Sequence, residues 1–280
     1  MSAKQFKDQD ALETILAVMN MSKIKIGLSM LFCLSEPFSS LMKHLHEVDV
    51  HHVELLDEGL HTLNSKRIKA LRKAAQSHDL ELTLHSPFAD INIASPTPVL
   101  RRTILKRLEK SISYASQLDC QLWIFHPGLK TGISYFYPGL DWQINMESVR
   151  ALLMIARKHG VEIAIENVPE PHPFLMKNVQ DFSRFYSELG EDIGLVVDIA
   201  HANLNHQIEE FITKFSDKIV HIHASDNNGL KDVHLGIGYG IVDWASVAKA
   251  VKTVEYGNVI MLESIEHVEE SLQTLRKFFT

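Results

Sequence analysis

Residues 193–226 read IGLVVDIAHANLNHQIEEFITKFSDKIVHIHASD, and their pattern sets the architecture. An apolar run over 193–198 ends in Asp198, an amphipathic stretch follows over 206–215, and a second apolar run over 218–223 ends in His223. Short, nearly continuous apolar runs bounded by polar residues read as strands buried on both faces, and such strands belong to parallel sheets. Outward from this unit the same alternation fills the chain. Strand-like runs stand at 24–30, 51–56, 80–85, 121–126, 161–166, 193–198, 218–223 and 258–263. Helical candidates stand at 38–47, 65–78, 99–118, 145–159, 178–189, 206–215, 243–254 and 267–279. The candidate at 145–159 closes on Lys158 and His159 followed by Gly160, a basic last turn with a glycine stop. Eight βα units in about 250 residues predict an α/β chain folded as a (β/α)8 TIM barrel. A doubly wound open sheet would need a glycine-rich turn after the first strand, and IKIGLSM (24–30) is followed by none.

No linker or shift in composition interrupts 23–280, so this stretch is expected to form one barrel domain. Residues 1–22 (MSAKQFKDQDALETILAVMNMS) lack the basic start and long apolar stretch of a signal peptide. Leu12, Ile15, Leu16 and Met19 recur at helical spacing, which predicts a short amphipathic N-terminal extension. Two readings stay open for it: a helix covering the bottom of the barrel, or a dispensable segment if translation starts at Met21.

The composition excludes several classes. Among the 280 residues, 45% are hydrophobic and 22% charged, which is ordinary for a globular chain and not for a disordered or fibrous one. No run of about 18 uncharged apolar residues offers a membrane span. Lys plus Arg total 28 against 35 Asp plus Glu, a formal charge of −7 that disfavours nucleic acid as the main partner. Cys33 and Cys120 lie far apart without a CxxC, which points to a reducing, cytoplasmic compartment. The unusual count is histidine, at 16.

In a barrel of this kind the chemistry sits where the strands end. Here six consecutive strand-like runs finish in His85, His126, Glu166, Asp198, His223 and Glu263. His201 follows Asp198 at a D-x-x-H spacing, and Asp232 and His234 form a D-x-H pair in the next loop. Each alone is ordinary: a strand-end histidine is usually hydrogen-bonded structure, and a strand-end acid often caps the next helix. Together, five imidazoles and four carboxylates at one mouth would be costly to bury without cations. Mixed nitrogen and oxygen donors suit zinc, manganese, iron or cobalt, and nine donors exceed the needs of one ion, so two or three divalent ions are expected.

The motifs HSPFADINIAS (85–95), FHPG (125–128), IEN (165–167), DIAH (198–201), HIHASD (221–226), DVHLGIGYG (232–240) and LES (262–264) resemble those of the xylose isomerase-like TIM barrels. That group spans sugar and sugar-phosphate isomerases and epimerases, and the endonuclease IV branch of apurinic-site nucleases. The resemblance runs from the first strand to the last. From the nuclease branch it implies three zinc ions on His85, His126, Glu166, Asp198, His201, His223, Asp232, His234 and Glu263. From the ketose epimerase branch it implies one ion on Glu166, Asp198, His223 and Glu263, with His201 touching substrate. Fold alone does not choose between the two.

In the first mechanism a small sugar or sugar phosphate is isomerised or epimerised. Glu166 and Glu263 act as ligands and as the acid/base pair, and His201 orients a substrate oxygen. In the second, clustered ions activate water for phosphodiester hydrolysis, including abasic-site cleavage, and His85, His126, Asp232 and His234 favour that reading. Against a nucleic-acid substrate, the loop LFCLSEPFSS (31–40) holds no Arg or Lys, and ELLDEGLH (54–61) is acidic. Phe88 also stands where nuclease relatives tend to carry a tyrosine. Many sugar-active relatives carry G-E-G after the D-x-H pair, where this chain has Gly238, Tyr239 and Gly240. The expectation is therefore a metal-dependent isomerase or epimerase, with a phosphodiesterase as alternative and a non-catalytic ligand-binding barrel as a third class.

Weaker candidates surround the mouth. Lys130, Lys177 and Lys231 lie on loops where a substrate phosphate would be met, although loop lysines are usually just solvated. In GLKTGISYFYPGLDW (128–142), Tyr135, Phe136, Tyr137 and Trp142 offer a lid over a small substrate, a stacking surface for bases, or plain packing on the rim. Arg101, Arg102, Lys106 and Arg107 have the spacing of a solvated helix face. Glu54 ends the second strand, within reach of the site, with a rim acid as the default reading, and His221 is expected to point away from the barrel interior.

Overall fold

The computed structural model describes residues 24–280, so the expected N-terminal helix lies outside the described residues. Eight parallel strands, β1 (Lys25–Ser29), β2 (His52–Leu56), β3 (Glu81–His85), β4 (Leu122–Phe125), β5 (Ile163–Glu166), β6 (Gly194–Asp198), β7 (Ile219–Ala224) and β8 (Val259–Leu262), close in sequence order. β8 returns to β1 with Leu28 opposite Leu262, so the described barrel has no open edge. Each strand falls within two residues of its expected span, because alternation between buried runs and amphipathic stretches is the strongest local signal a sequence carries.

Around the barrel lie α1 (Phe38–Glu47), α2 (Ser65–His78), α3 (Pro98–Gln117), α4 (Leu140–His159), α5 (Val179–Leu189), α6 (Ile199–Leu204), α7 (Ile208–Lys214), α8 (Trp244–Thr253) and α9 (Val268–Phe279). Two depart from expectation. α4 starts five residues before 145, directly after Gly139, whose φ of +87° lets the chain reverse into the helix. α6 was not expected at all. The carboxylate of Asp198 accepts from the backbone N–H of His201 at 2.7 Å, so the last residue of β6 caps a short helix that begins at once. Among the described residues, no helix is long and apolar enough to cross a membrane.

The barrel interior is stratified. Leu122, Ile124, Ala164 and Val196 form a buried apolar layer. Because side chains two apart share a face of a strand, Ile124, Ala164 and Val196 place His126, Glu166 and Asp198 above them on the same inner face. The same period overturns the expectation for His221. It lies two residues before His223, points inward with it, and is buried with the two rings 5.2 Å apart. Glu54 is likewise no rim acid but fully buried inside the barrel.

The basic stretch on α3 is also only partly solvated. Arg107 lies against fully buried Asp57, its guanidinium donating at 2.7 Å to the carboxylate and at 2.9 Å to the backbone carbonyl. That pair ties α3 to the end of β2, and removing the arginine would leave a buried charge alone.

Candidate metal centre

Strand ends, the short helix α6 and the loop after β7 bring all nine expected ligand residues to one end of the barrel. At the centre is Glu166, buried at the end of β5. Its Oε2 lies 3.3 Å from His85 Nε2 and 3.2 Å from His126 Nε2. Its Oε1 lies 3.2 Å from His223 Nδ1, which in turn is 3.3 Å from Glu263 Oε2. Ligand atoms of Glu166, Asp198, His223 and Glu263 all fall within 4.8 Å of one another, as do those of His85, His126 and Glu166. Glu166 is common to both groups, so one carboxylate would serve either. A third grouping closes on Asp232, whose Oδ2 is 3.1 Å from His201 Nε2 and 3.2 Å from His234 Nε2.

The proton arrangement shows that these residues fit cations. His85 donates from Nδ1 to the carbonyl of Ser86 at 2.9 Å, and His201 from Nδ1 to the carbonyl of Asn167 at 2.8 Å. In the neutral ring each Nε2 is then a lone pair aimed at a carboxylate, which is repulsive unless a proton or an ion lies between. Without an ion, protons fill the gap. Burial lowers His201, but Asp198 and Asp232 outweigh it and raise it to about 10. Burial lowers His234, yet Asp232 brings it up to about 9. Burial raises Glu263 to about 8, with His223 opposing. Glu166 goes the other way: burial raises it, but His223 and His126 hold it well below the usual carboxylate range. Within these nine residues, three buried atoms are left without any hydrogen-bond partner: Asp198 Oδ2, Asp232 Oδ1 and His234 Nδ1. Orphaned polar atoms in such a cluster fit a site for divalent cations.

The loop carrying Asp232 and His234 is built on Asp226. Its carboxylate accepts from the backbone N–H of Asn227, Gly238 and Val242 at 2.9, 3.0 and 3.0 Å, and from the Trp244 indole at 3.1 Å. Gly240 passes so close that a Cβ there would stand 2.2 Å from the Asn227 carbonyl oxygen. His234 itself takes a φ of +47°, a left-handed conformation that the surrounding bonds must hold. Asp226→Ala strands three buried donors, and we expect it to destabilise the fold by about 3 kcal/mol in chemical denaturation. If Asp232 and His234 hold an ion, metal titration of the folded variant should show its loss, with binding at Glu166, Asp198, His223 and Glu263 kept.

Above the cluster opens a cavity of about 320 Å³. Its floor is His85, His126, Glu166, His201, Asp232, His234 and Glu263, and its apolar wall includes Leu31, Leu56, Phe88, Leu129, Pro169 and Phe174. Among the described residues, no Lys or Arg lines it. Lys130 and Lys231 are exposed on their loops and stand outside this lining, while Lys177 is paired with Glu170 at 2.6 Å. Tyr135, Phe136 and Tyr137 face solvent. Trp142 does not wall the cavity. Its buried indole donates to Glu188 at 2.7 Å, and the Arg184 guanidinium lies 4.2 Å over its ring, so it joins α4 to α5. Tyr239, in the Gly-Tyr-Gly stretch, stacks on His267 at 3.9 Å.

Sequence reasoning missed Leu31, Leu56, Leu129, Pro169, His172 and Phe174 as cavity residues. The proline-punctuated stretch 169–174 after β5 was the one available signal. An isolated bridge between Leu129 and Phe174 joins it to the loop after β4.

A profile of the xylose isomerase-like TIM barrel family matches residues 42–278. An uncharacterised protein of Methanocaldococcus jannaschii is 32% identical over 258 residues, covering 91% of this chain and 98% of the relative. The crystal structure of a D-tagatose 3-epimerase-like protein superposes with a TM-score of 0.85 at 28% identity, over 91% of this chain and 97% of that one. Similarity extends to D-psicose 3-epimerase of Ruminiclostridium cellulolyticum, 22% identical over 210 residues, covering 70% of this chain and 68% of the relative. It also extends to a probable endonuclease 4 of Halothermothrix orenii, 25% identical over 211 residues, covering 68% of this chain and 73% of the relative.

Proposed function

The chain belongs to the xylose isomerase-like TIM barrel family, and from that premise we propose that it is a divalent-metal-dependent epimerase or isomerase of a small, uncharged sugar. The observation that carries this reading is the cavity: walled by apolar side chains, floored by carboxylates and imidazoles, and, among the described residues, free of Lys and Arg along its lining. A phosphate group or a nucleic-acid backbone would be poorly held there, since recognition of either relies on cationic donors. Hydroxyl and carbonyl oxygens of a sugar match the floor, and its C–H faces match the wall.

Glu166, Asp198, His223 and Glu263 would hold the ion, which when bound neutralises charge on a pair of adjacent substrate oxygens. Glu166 and Glu263 approach the His223 ring nitrogen from two strands, at 3.2 and 3.3 Å. We assign them the removal and return of the proton on the carbon beside the carbonyl. His201, fixed through its Nδ1–H to the Asn167 carbonyl, presents Nε2 to orient a substrate oxygen. Leu31, Leu56, Phe88 and Phe174 exclude water around the reacting carbon. The similarity to a D-tagatose 3-epimerase-like structure supports the same reading.

One observation favours a second reading. His85, His126, Asp232 and His234 add two further groupings of donors, more than a single-ion epimerase needs, as expected of a multinuclear phosphodiesterase. The test is a parallel assay of protein reloaded with Mn2+, Co2+ or Zn2+ against free ketoses, their phosphates and an abasic-site duplex. We expect turnover of a free ketose, weak turnover of its phosphate and no nicking. Metal-dependent nicking without ketose turnover overturns the proposal in favour of the second reading.

A further inference from the structure

We infer that Glu54 is a positioning residue for the metal centre, fixing His223 in the tautomer that leaves Nδ1 free for an ion; the inference rests on the metal-dependent reading above. Glu54 lies on β2, fully buried beneath the cluster and away from the cavity. Its Oε2 is 3.2 Å from His223 Nε2, and its Oε1 accepts from the Ser29 hydroxyl at 3.2 Å. His221, one step lower on β7, brings Nε2 to 3.7 Å from the same Oε2. Glu54 is held from the side by the Ser29 hydroxyl and directs its charge at the far edge of the His223 ring, while His221 Nε2 is too distant for a hydrogen bond and has no partner. The near edge of that ring, Nδ1, faces Glu166 and Glu263.

A neutral imidazole carries one proton. With that proton on Nε2 and donated to Glu54, the lone pair on Nδ1 points into the ligand group. A carboxylate behind the ring also raises its basicity as a ligand, and in a dry barrel interior that influence is little screened. His85 and His201 are anchored through the other ring nitrogen, Nδ1, by the backbone carbonyls of Ser86 and Asn167. His223 uses a carboxylate instead. A competing reading of the same residues is an inner ion held by Glu54, His221 and His223, whose ligand atoms lie within 4.8 Å of one another. That ion would require His223 to bridge two metals, whereas the hydrogen bond accounts for the same distance with a single proton.

Co2+ titration of the full chain separates these outcomes, with visible absorption reporting ligand geometry and a competing chelator reporting affinity. Glu54→Gln should bind as many Co2+ ions as the wild type, with the ion at His223 held about 10- to 100-fold more weakly. Ser29→Ala, which keeps the carboxylate but frees one of its anchors, should show a smaller loss in the same direction, and it carries the test if Glu54→Gln does not fold. Wild-type Co2+ affinity in both folded variants overturns the inference, as does a Glu54→Gln protein that binds one ion fewer with the remaining affinities unchanged. A wild-type protein that binds no Co2+ overturns the metal-dependent reading itself, and is recognised before any variant is compared.

Discussion

Glu166→Gln is expected to lower turnover by at least about 10³-fold, the upper part of the range for losing a general acid or base, because on the proposed reading the same side chain would also hold metal. The size of the effect follows from position. One buried carboxylate faces His85, His126 and His223 at 3.2–3.3 Å and belongs to both groups of ligand atoms. An amide of the same shape loses the charge that draws an ion to either group, and it turns an NH2 toward at least one ring nitrogen. Metal stoichiometry in Glu166→Gln should therefore fall along with activity. Near-UV circular dichroism of the metal-free protein checks that the fold is kept. A variant with wild-type metal content and turnover would remove Glu166 from the centre of the site.

The second large effect is on stability. Nine acidic and imidazole side chains crowd one end of the barrel, with Asp198 Oδ2, Asp232 Oδ1 and His234 Nδ1 unpartnered. Ions that bind there bind the folded chain and not the unfolded one, so at a free concentration 1,000 times Kd each adds about 4 kcal/mol to stability. For a chain of this size that corresponds to a rise in Tm of roughly 8 °C or more on reloading chelator-treated protein. Differential scanning calorimetry with and without Mn2+ or Zn2+ reads it directly. An unchanged Tm at saturating metal would mean that the cluster holds no ion tightly.

The barrel and the residues at its mouth were legible because two periodicities coincide in the chain. Short apolar runs mark buried strands, and the last position of each run is where a barrel gathers its reactive side chains. His85, His126, Glu166, Asp198, His223 and Glu263 all occupy it. What was not legible depends on contacts between distant segments, or on a periodicity wrongly applied. His221 was assigned to the outside although its spacing of two from His223 puts both on one face. Glu54 read as a rim acid because nothing local shows that Ser29, His221 and His223 surround it. Trp142 lies beside a loop rich in exposed aromatics but is drawn into the helical layer by Glu188 and Arg184, residues of α5. The cavity wall comes from the end of β2 and from the segments after β1, β3, β4 and β5, so only the closed barrel assembles Leu31, Leu56, Phe88, Leu129 and Phe174 around one space.

Proton exchange decides most directly whether Glu166 and Glu263 work on the carbon acid of a free sugar. Metal-loaded protein incubated with a panel of unphosphorylated ketoses in D2O, followed by NMR, should incorporate one solvent deuteron at the carbon beside the carbonyl of its substrate. The epimer should appear alongside, and both signals should be lost in Glu166→Gln. A protein that carries its full complement of metal, exchanges no carbon-bound proton in any ketose and yet cleaves an abasic-site duplex would contradict that assignment.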